Sequence, residues 1–158
     1  MLLRDSRPGL YVPRWVPISA MLVALIGLGL STYLTIEHFN TSVGLACPAT
    51  GGVDCVKVTT SEQSKVFGIP VAVLGLVFFV PALIANLPVL WRSGHPLIRY
   101  GRLGGMIVGI GFVLYLVYAE LFEIDAICLW CTGVHILTFL LFVITLLGTS
   151  YAIPVEED

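Results

Sequence analysis

Four cysteines carry the most reactive side chains of this sequence, and they form two pairs. Seven residues separate Cys47 from Cys55, whereas Cys128 and Cys131 form a Cys-x-x-Cys motif. Two cysteines three residues apart at the start of a helix lie on one helical face, where the N-terminal N–H groups stabilise a thiolate. Such a pair can close a disulfide, and it then exchanges two electrons and two protons with a partner.

Cysteine pairs also serve two other purposes, and the spacing alone does not exclude them. Structural disulfides that only hold an outer loop in place need the same even number of cysteines. A zinc site of four thiolates is disfavoured, because a zinc knuckle usually has about two to four residues between its cysteines. We favour a redox relay, because a structural disulfide has little reason to lie at the start of an apolar span, where a lipid-soluble quinone is the obvious electron partner.

The elements that position these cysteines are membrane helices. Of the 158 residues, 58% are hydrophobic and only 11% are charged, and the mean hydropathy is +0.98. Soluble domains carry about 25% charged residues. The composition therefore excludes a disordered chain, a soluble enzyme and a nucleic-acid-binding protein, and the net charge of −2 provides no basic surface for a polyanion.

Four apolar stretches are long enough to cross a bilayer as helices, which takes about 20 residues. They are Val16–Ile36, Ile69–Leu90, Leu103–Ala119 and Ala126–Gly148. Lipid offers the backbone no hydrogen-bond partner, and these stretches lack the alternating polarity of a barrel strand. We therefore predict an all-α membrane protein: a four-transmembrane-helix bundle with one long outer loop, residues 40–68, between the first and second helices.

The positive residues predict the orientation of this bundle. Three arginines precede the first span and three lie between the second and third, whereas the first outer loop holds two lysines and the third loop none. Because Lys and Arg accumulate in cytoplasmic loops, both termini are predicted to be cytoplasmic. We expect a cytoplasmic segment at 1–15, a transmembrane domain at 16–150 and an acidic cytoplasmic tail at 151–158. All four cysteines then lie on the extracytoplasmic side, where disulfides persist.

Glycines and prolines within the spans have structural interpretations. Gly101, Gly105 and Gly109 recur every four residues, a spacing that lets a neighbouring helix approach closely. Pro81 and Pro88 are predicted to kink or end the second helix.

Ionisable residues near the Cys-x-x-Cys motif are candidates for a functional role. His135 follows Cys131 by four residues, on the same helical face and about one turn deeper. The alternative is a packing histidine bonded to a neighbouring helix. Glu120, Glu123 and Asp125 are predicted mainly as a solvated rim, with the alternative that their charge raises the pKa of the nearby motif.

The ordered set of motifs resembles the vitamin K epoxide reductase family, in particular its bacterial members without a fused thioredoxin domain. The residues that carry the resemblance are Cys47-x7-Cys55, Ser61, Phe67-Gly68 and Cys128-Leu129-Trp130-Cys131. The likeness extends from about Val16 to Gly148. The DsbB type, another four-helix family that reduces quinones, has the reverse order, with its Cys-x-x-Cys motif in the first outer loop.

The resemblance implies a membrane thiol–disulfide oxidoreductase that forms disulfides and reduces a quinone of the menaquinone, phylloquinone or ubiquinone type. Its electrons would come from a periplasmic thioredoxin-like partner of the DsbA type, at the inner cell membrane. By position, Cys131 would be the thiolate next to the quinone, and Cys128 its disulfide partner. Cys55 would exchange with Cys128, and Cys47 with the soluble partner. Ser61 matches a family serine near the active site.

Two positions depart from the vertebrate members of that family. Ser64 stands in place of an asparagine shortly before the Phe-Gly pair, and His135 in place of a tyrosine four residues past the Cys-x-x-Cys motif. Both side chains can still donate a hydrogen bond to a quinone oxygen. We predict Ser64, Phe67, Trp130 and His135 as quinone-binding residues. The alternative function is a non-enzymatic membrane scaffold with structural disulfides in its outer loop.

Overall fold

The computed structural model describes residues 10–40, 44–48, 50–93, 95–151 and 153–154. Its helices are α1 (Trp15–Phe39), α2 (Cys55–Thr60), α3 (Val71–Ala85), α4 (Pro88–Arg92), α5 (Pro96–Tyr118) and α6 (Leu129–Tyr151). A short 3-10 helix, Glu62–Ser64, follows α2, and a π-helical segment, Ala119–Ile124, continues α5. Residues 1–9 of the predicted N-terminal segment and 155–158 of the predicted tail lie outside the described residues.

The predicted four-helix membrane bundle is confirmed. In the described part of the chain, three helical segments are long and apolar enough to cross a membrane, namely Trp15–Phe39, Pro96–Ile124 and Leu129–Tyr151. The fourth apolar helix, α3, is shorter. Helix α1 packs against both α3 and α6, and α5 packs against α6. Large apolar side chains point outward along all four helices, as expected of a surface that faces lipid.

The second span is not the single helix that the sequence predicts over Ile69–Leu90. Helix α3 ends at Ala85, and α4 begins at Pro88, which has no N–H with which to continue the helical hydrogen bonds. Fully buried Asn86 occupies the break. Its side-chain amide donates to the Ala82 carbonyl at 2.8 Å, and its side-chain oxygen accepts from the Trp91 indole N–H at 3.2 Å. Pro88 therefore ends the helical run at a point where the Asn86 side chain hydrogen-bonds the Ala82 carbonyl.

The predicted role of the small residues holds only in part. A Cβ atom on Gly109 would lie 2.5 Å from the Phe78 ring, so this glycine does allow close packing of α5 on α3. The prediction is wrong for Gly101 and Gly105, beside which a Cβ atom would meet nothing within 4 Å in the described chain. Pro81 lies inside α3, which continues past it.

Both ends of the described chain meet at one end of the bundle. The two-residue strands β1 (Leu10–Tyr11) and β4 (Ile153–Pro154) pair in antiparallel register. Near them, the guanidinium of buried Arg102 stacks 3.7 Å from the centre of the Trp91 ring. This pairing agrees with an even number of membrane crossings. The cysteines lie at the opposite end, and which end faces the cytoplasm stays a prediction from the charges.

Candidate active site

Main-chain hydrogen bonds fix the outer loop to the segment that precedes α6. The Ile127 N–H donates to the Gly52 carbonyl at 2.9 Å, and the Asp54 N–H donates to the Ile127 carbonyl at 3.1 Å. The Lys57 ammonium donates to the Asp125 carbonyl at 3.4 Å. These bonds hold the start of α2 beside the start of α6.

The loop cysteines lie where this docking brings them next to the Cys-x-x-Cys motif. The Asp54 carboxylate caps α2 by accepting the Lys57 N–H at 2.9 Å, and Cys55 is the first residue of that helix. Cys55 is 1% exposed and packs in one apolar cluster with Cys128, which is 0% exposed. Cys47 is bonded to Cys55 by a disulfide and packs against the same cluster, as does Cys131. The fold therefore brings all four sulfurs together.

The start of α6 presents its N–H groups to the Cys128 sulfur. The helix begins at Leu129, so Cys128 directly precedes it, and the Cys131 N–H donates to the Cys128 Sγ at 3.2 Å. A hydrogen bond from the Cys131 side chain lowers the pKa of Cys128, and the N–H groups of Cys131 and Trp130 lower it further. Burial and the negative charge of Glu120 oppose this shift. The net effect favours a Cys128 thiolate, as the helix dipole predicts.

A mostly apolar cavity lies inside the bundle next to the cysteines. Cys131 and His135 line it from α6, and Ser61 and Ser64 line it from the segment after α2. Cys128 is not among its lining residues. An apolar cavity with a few converging polar groups is the usual form of a small-molecule site.

Ser61 and Ser64, which both line the cavity, are hydrogen-bonded to each other. The Ser61 hydroxyl donates to the Val58 carbonyl at 2.8 Å and accepts the Ser64 N–H at 3.2 Å, which caps the 3-10 helix. The Ser64 hydroxyl donates to the Ser61 carbonyl at 2.6 Å. Its oxygen is therefore held at the cavity wall in a defined position.

Comparison with known proteins gives this arrangement a family. The profile of the vitamin K epoxide reductase family matches residues 18–146, most of the chain and all four cysteines. The chain belongs to the vitamin K epoxide reductase family. Members of this family are membrane thiol–disulfide oxidoreductases that reduce quinones, and this multi-pass membrane protein is one of them.

Two side chains that the sequence suggested for quinone binding do not line the cavity of this vitamin K epoxide reductase family member. Phe67 lies at the turn between β2 (Lys65–Val66) and β3 (Ile69–Pro70), with a φ of 52° and a fully exposed ring. The Trp130 ring packs against the Tyr33 ring, with the two ring centres 4.9 Å apart, and its indole N–H donates to the Ala46 carbonyl at 3.2 Å. One position along a helix rotates a side chain by about 100°, so Trp130 faces α1 instead of the Cys131 side.

Glu120 is the residue of the site that sequence reasoning misplaced. The predicted solvated rim is wrong for Glu120, which is 6% exposed and lines the cavity. Glu123 and Asp125 are exposed as predicted, and Glu123 accepts a hydrogen bond from the Gln63 amide at 2.9 Å. The sequence did contain a signal, because Glu120 is the lone acid in an apolar stretch that continues to Phe122, and an ionisable residue inside a span is functional by default.

Proposed function

We propose that this protein oxidises an extracytoplasmic thioredoxin-like partner of the DsbA type and reduces a membrane quinone. Its products would be quinol and a new disulfide in the partner. The observation that carries the proposal is the convergence of four sulfurs of graded exposure next to an apolar cavity. The charge distribution supports an orientation with the cysteines outside and both termini in the cytoplasm of the inner cell membrane.

The exposure of the loop cysteines selects the sulfur that meets the partner. Cys47 is half-buried between exposed Ala46 and Pro48, whereas Cys55 is 1% exposed. A partner thiolate therefore attacks the Cys47 sulfur of the loop disulfide, and Cys55 leaves as a thiolate. The second partner thiol then displaces Cys47, so that the partner leaves oxidised and the loop pair is reduced.

Electrons pass inward between the two buried sulfurs. The Cys55 thiolate attacks the Cys128 sulfur of the Cys128–Cys131 disulfide and releases the Cys131 thiolate. Cys47 then attacks Cys55, which restores the loop disulfide and releases Cys128. The lowered pKa of Cys128 makes it a good leaving group in this last exchange. The product has an oxidised loop pair and a reduced helix pair, the same arrangement that the structure holds.

The last step takes place in the cavity. Cys131 lines it, so its sulfur faces the quinone ring, and two electrons move from the two sulfurs to the quinone as the Cys128–Cys131 disulfide forms again. His135, from α6, is the candidate to donate a hydrogen bond to one quinone oxygen, and Ser64, from the segment after α2, can donate to the other once its hydroxyl turns away from the Ser61 carbonyl. Ser61 positions Ser64 through the cap of the 3-10 helix.

Quinone-dependent dithiol oxidation by the purified protein in lipid tests this proposal. We expect turnover with a reduced DsbA-type donor and either a naphthoquinone or a benzoquinone acceptor, and the faster acceptor identifies the ring class. Cys131→Ser should abolish turnover, whereas Ser150→Ala, an exposed position at the other end of α6, should keep it. If the unmodified protein leaves the quinone oxidised, the protein is instead a scaffold with a structural disulfide.

A further inference from the structure

We propose that Glu120 is the proton-transfer residue of this site, which takes the proton of the Cys131 thiol and passes it to a quinone oxygen. This inference rests on the proposed quinone reduction, and it adds a group that the cysteine relay does not use. The observation behind it is a buried carboxyl group beside both the redox-active pair and the cavity in which the quinone would bind.

The backbone directs Glu120 inward at this point. Glu120 belongs to the π-helical segment Ala119–Ile124, and such segments recur at functional sites. The Ala126 N–H donates to the Glu120 carbonyl at 3.2 Å, which folds the chain back toward α6. The Cys128 backbone N–H stabilises the negative charge of the Glu120 carboxyl group. The carboxyl group therefore lies close to the first residue of the Cys-x-x-Cys motif.

Among the residues that the structure describes, no lysine or arginine shares the cavity with this carboxyl group. The other titratable groups of the described residues that line the cavity are His38 of α1 and Cys131 and His135 of α6. From α2, the Lys57 ammonium bonds to the Asp125 carbonyl. The carboxyl group is thus not engaged in an ion pair with a cavity residue, and it shares the cavity with the thiol whose proton must leave before Cys131 can reduce the quinone.

The proton balance of the last step shows why such a group is needed. The Cys131 N–H donates to the Cys128 Sγ at 3.2 Å and favours a thiolate there, so in this proposal the pair starts as a Cys128 thiolate and a Cys131 thiol. When the S–S bond forms, two electrons leave the sulfurs for the quinone and the Cys131 S–H bond breaks. Glu120 takes that proton and gives it to one quinone oxygen. The proton for the other oxygen comes from water and replaces the one that Cys128 lost earlier.

A structural role for Glu120 makes a different prediction. If its carboxyl group only accepts the Cys128 N–H, then Glu120→Gln keeps an acceptor oxygen of the same size and preserves the site. If Glu120 transfers a proton, the side-chain amide in Glu120→Gln cannot take over that role. A positioned acid or base contributes about 100-fold or more to such a step.

The test measures the oxidation of the pre-reduced protein by a short-chain quinone in stopped flow between pH 5.5 and pH 9. We expect Glu120→Gln to slow this step about 100-fold at neutral pH, with a rate that rises steadily with pH as hydroxide takes over proton removal. Glu120→Asp should recover part of the rate, and added formate should partly restore Glu120→Ala. Glu123→Gln, an exposed acid three residues away, is the matched control and should behave as the unmodified protein.

Exchange between a partner dithiol and the loop disulfide is measured on the same samples, and it should stay unchanged in every variant. A Glu120→Gln variant within twofold of the unmodified protein across this pH range would overturn the inference. So would equal losses in both steps without rescue by aspartate or formate, because that outcome describes a structural residue. An unmodified protein that cannot reduce quinone would instead refute the proposed function itself.

Discussion

The cap of α2 is a sensitive point of the proposed relay, because this helix has only six residues and begins with Cys55. The Asp54 carboxylate accepts the Lys57 N–H at 2.9 Å, and replacing such a cap by alanine costs about 1 kcal/mol. Since about 1.4 kcal/mol corresponds to a factor of ten, Asp54→Ala should make transient opening of α2 about fivefold more frequent.

Alkylation of Cys55 reports this opening directly. In a Cys47→Ala background Cys55 is a free thiol, and because it is 1% exposed, it reacts with N-ethylmaleimide only when α2 opens. Mass spectrometry should show Cys55 modified about fivefold faster in Asp54→Ala, whereas Asp54→Asn, which keeps an acceptor oxygen at the cap, should retain the slow rate. Equal rates in all three proteins would refute the reasoning, as would equal acceleration by both substitutions.

Two further predictions concern the helix pair. In Cys131→Ala, the Cys128 thiolate should attack the Cys55 sulfur of the loop disulfide and release Cys47, and no Cys131 remains to displace Cys55 from Cys128. A Cys55–Cys128 disulfide should therefore accumulate on non-reducing gels once an alkylating agent blocks the released Cys47 thiol; its absence in folded protein would contradict direct transfer between these sulfurs. Because the pKa of Cys128 is lowered, the thiolate absorbance of the reduced protein at 240 nm should begin to rise below the ordinary thiol range of about pH 8.5. Cys128→Ser should remove this early rise. In the unsubstituted reduced protein, stability should fall as the pH drops from about 8.5 through the lowered pKa of Cys128. A rise that survives Cys128→Ser would show that another group titrates.

The apolar stretches predicted the helices well, because a membrane helix is determined by length and composition. The break in the second span was harder to predict, since Pro81 and Pro88 look alike in sequence. Only Pro88 lies where Asn86 and Trp91 satisfy the backbone around the break, and that contact is tertiary. Likewise, a spacing of four residues cannot distinguish Gly109, which has Phe78 against it, from Gly101 beside open space.

The sequence also indicated part of the site. Helical periodicity places His135 one turn below Cys131, and the structure finds both in the cavity wall. The positions of Glu120 and Trp130 depend on the π-helical segment and on packing against Tyr33, neither of which leaves a periodic pattern. Phe67 is exposed because it lies at the turn between β2 and β3, a position that its Phe-Gly motif does not reveal.

The burial of Cys55 and Cys128 has a consequence for selectivity. The half-buried Cys47 sulfur lies on the loop, the Cys131 sulfur lines the cavity, and the two sulfurs between them are sealed from both surroundings. In the proposed relay, a water-soluble thiol and a lipid-soluble oxidant would therefore react at different atoms. The dithiol and quinone pools would exchange electrons only through these two buried sulfurs, so that the geometry would prevent a direct reaction between the pools at this protein, whatever its affinity for either reactant.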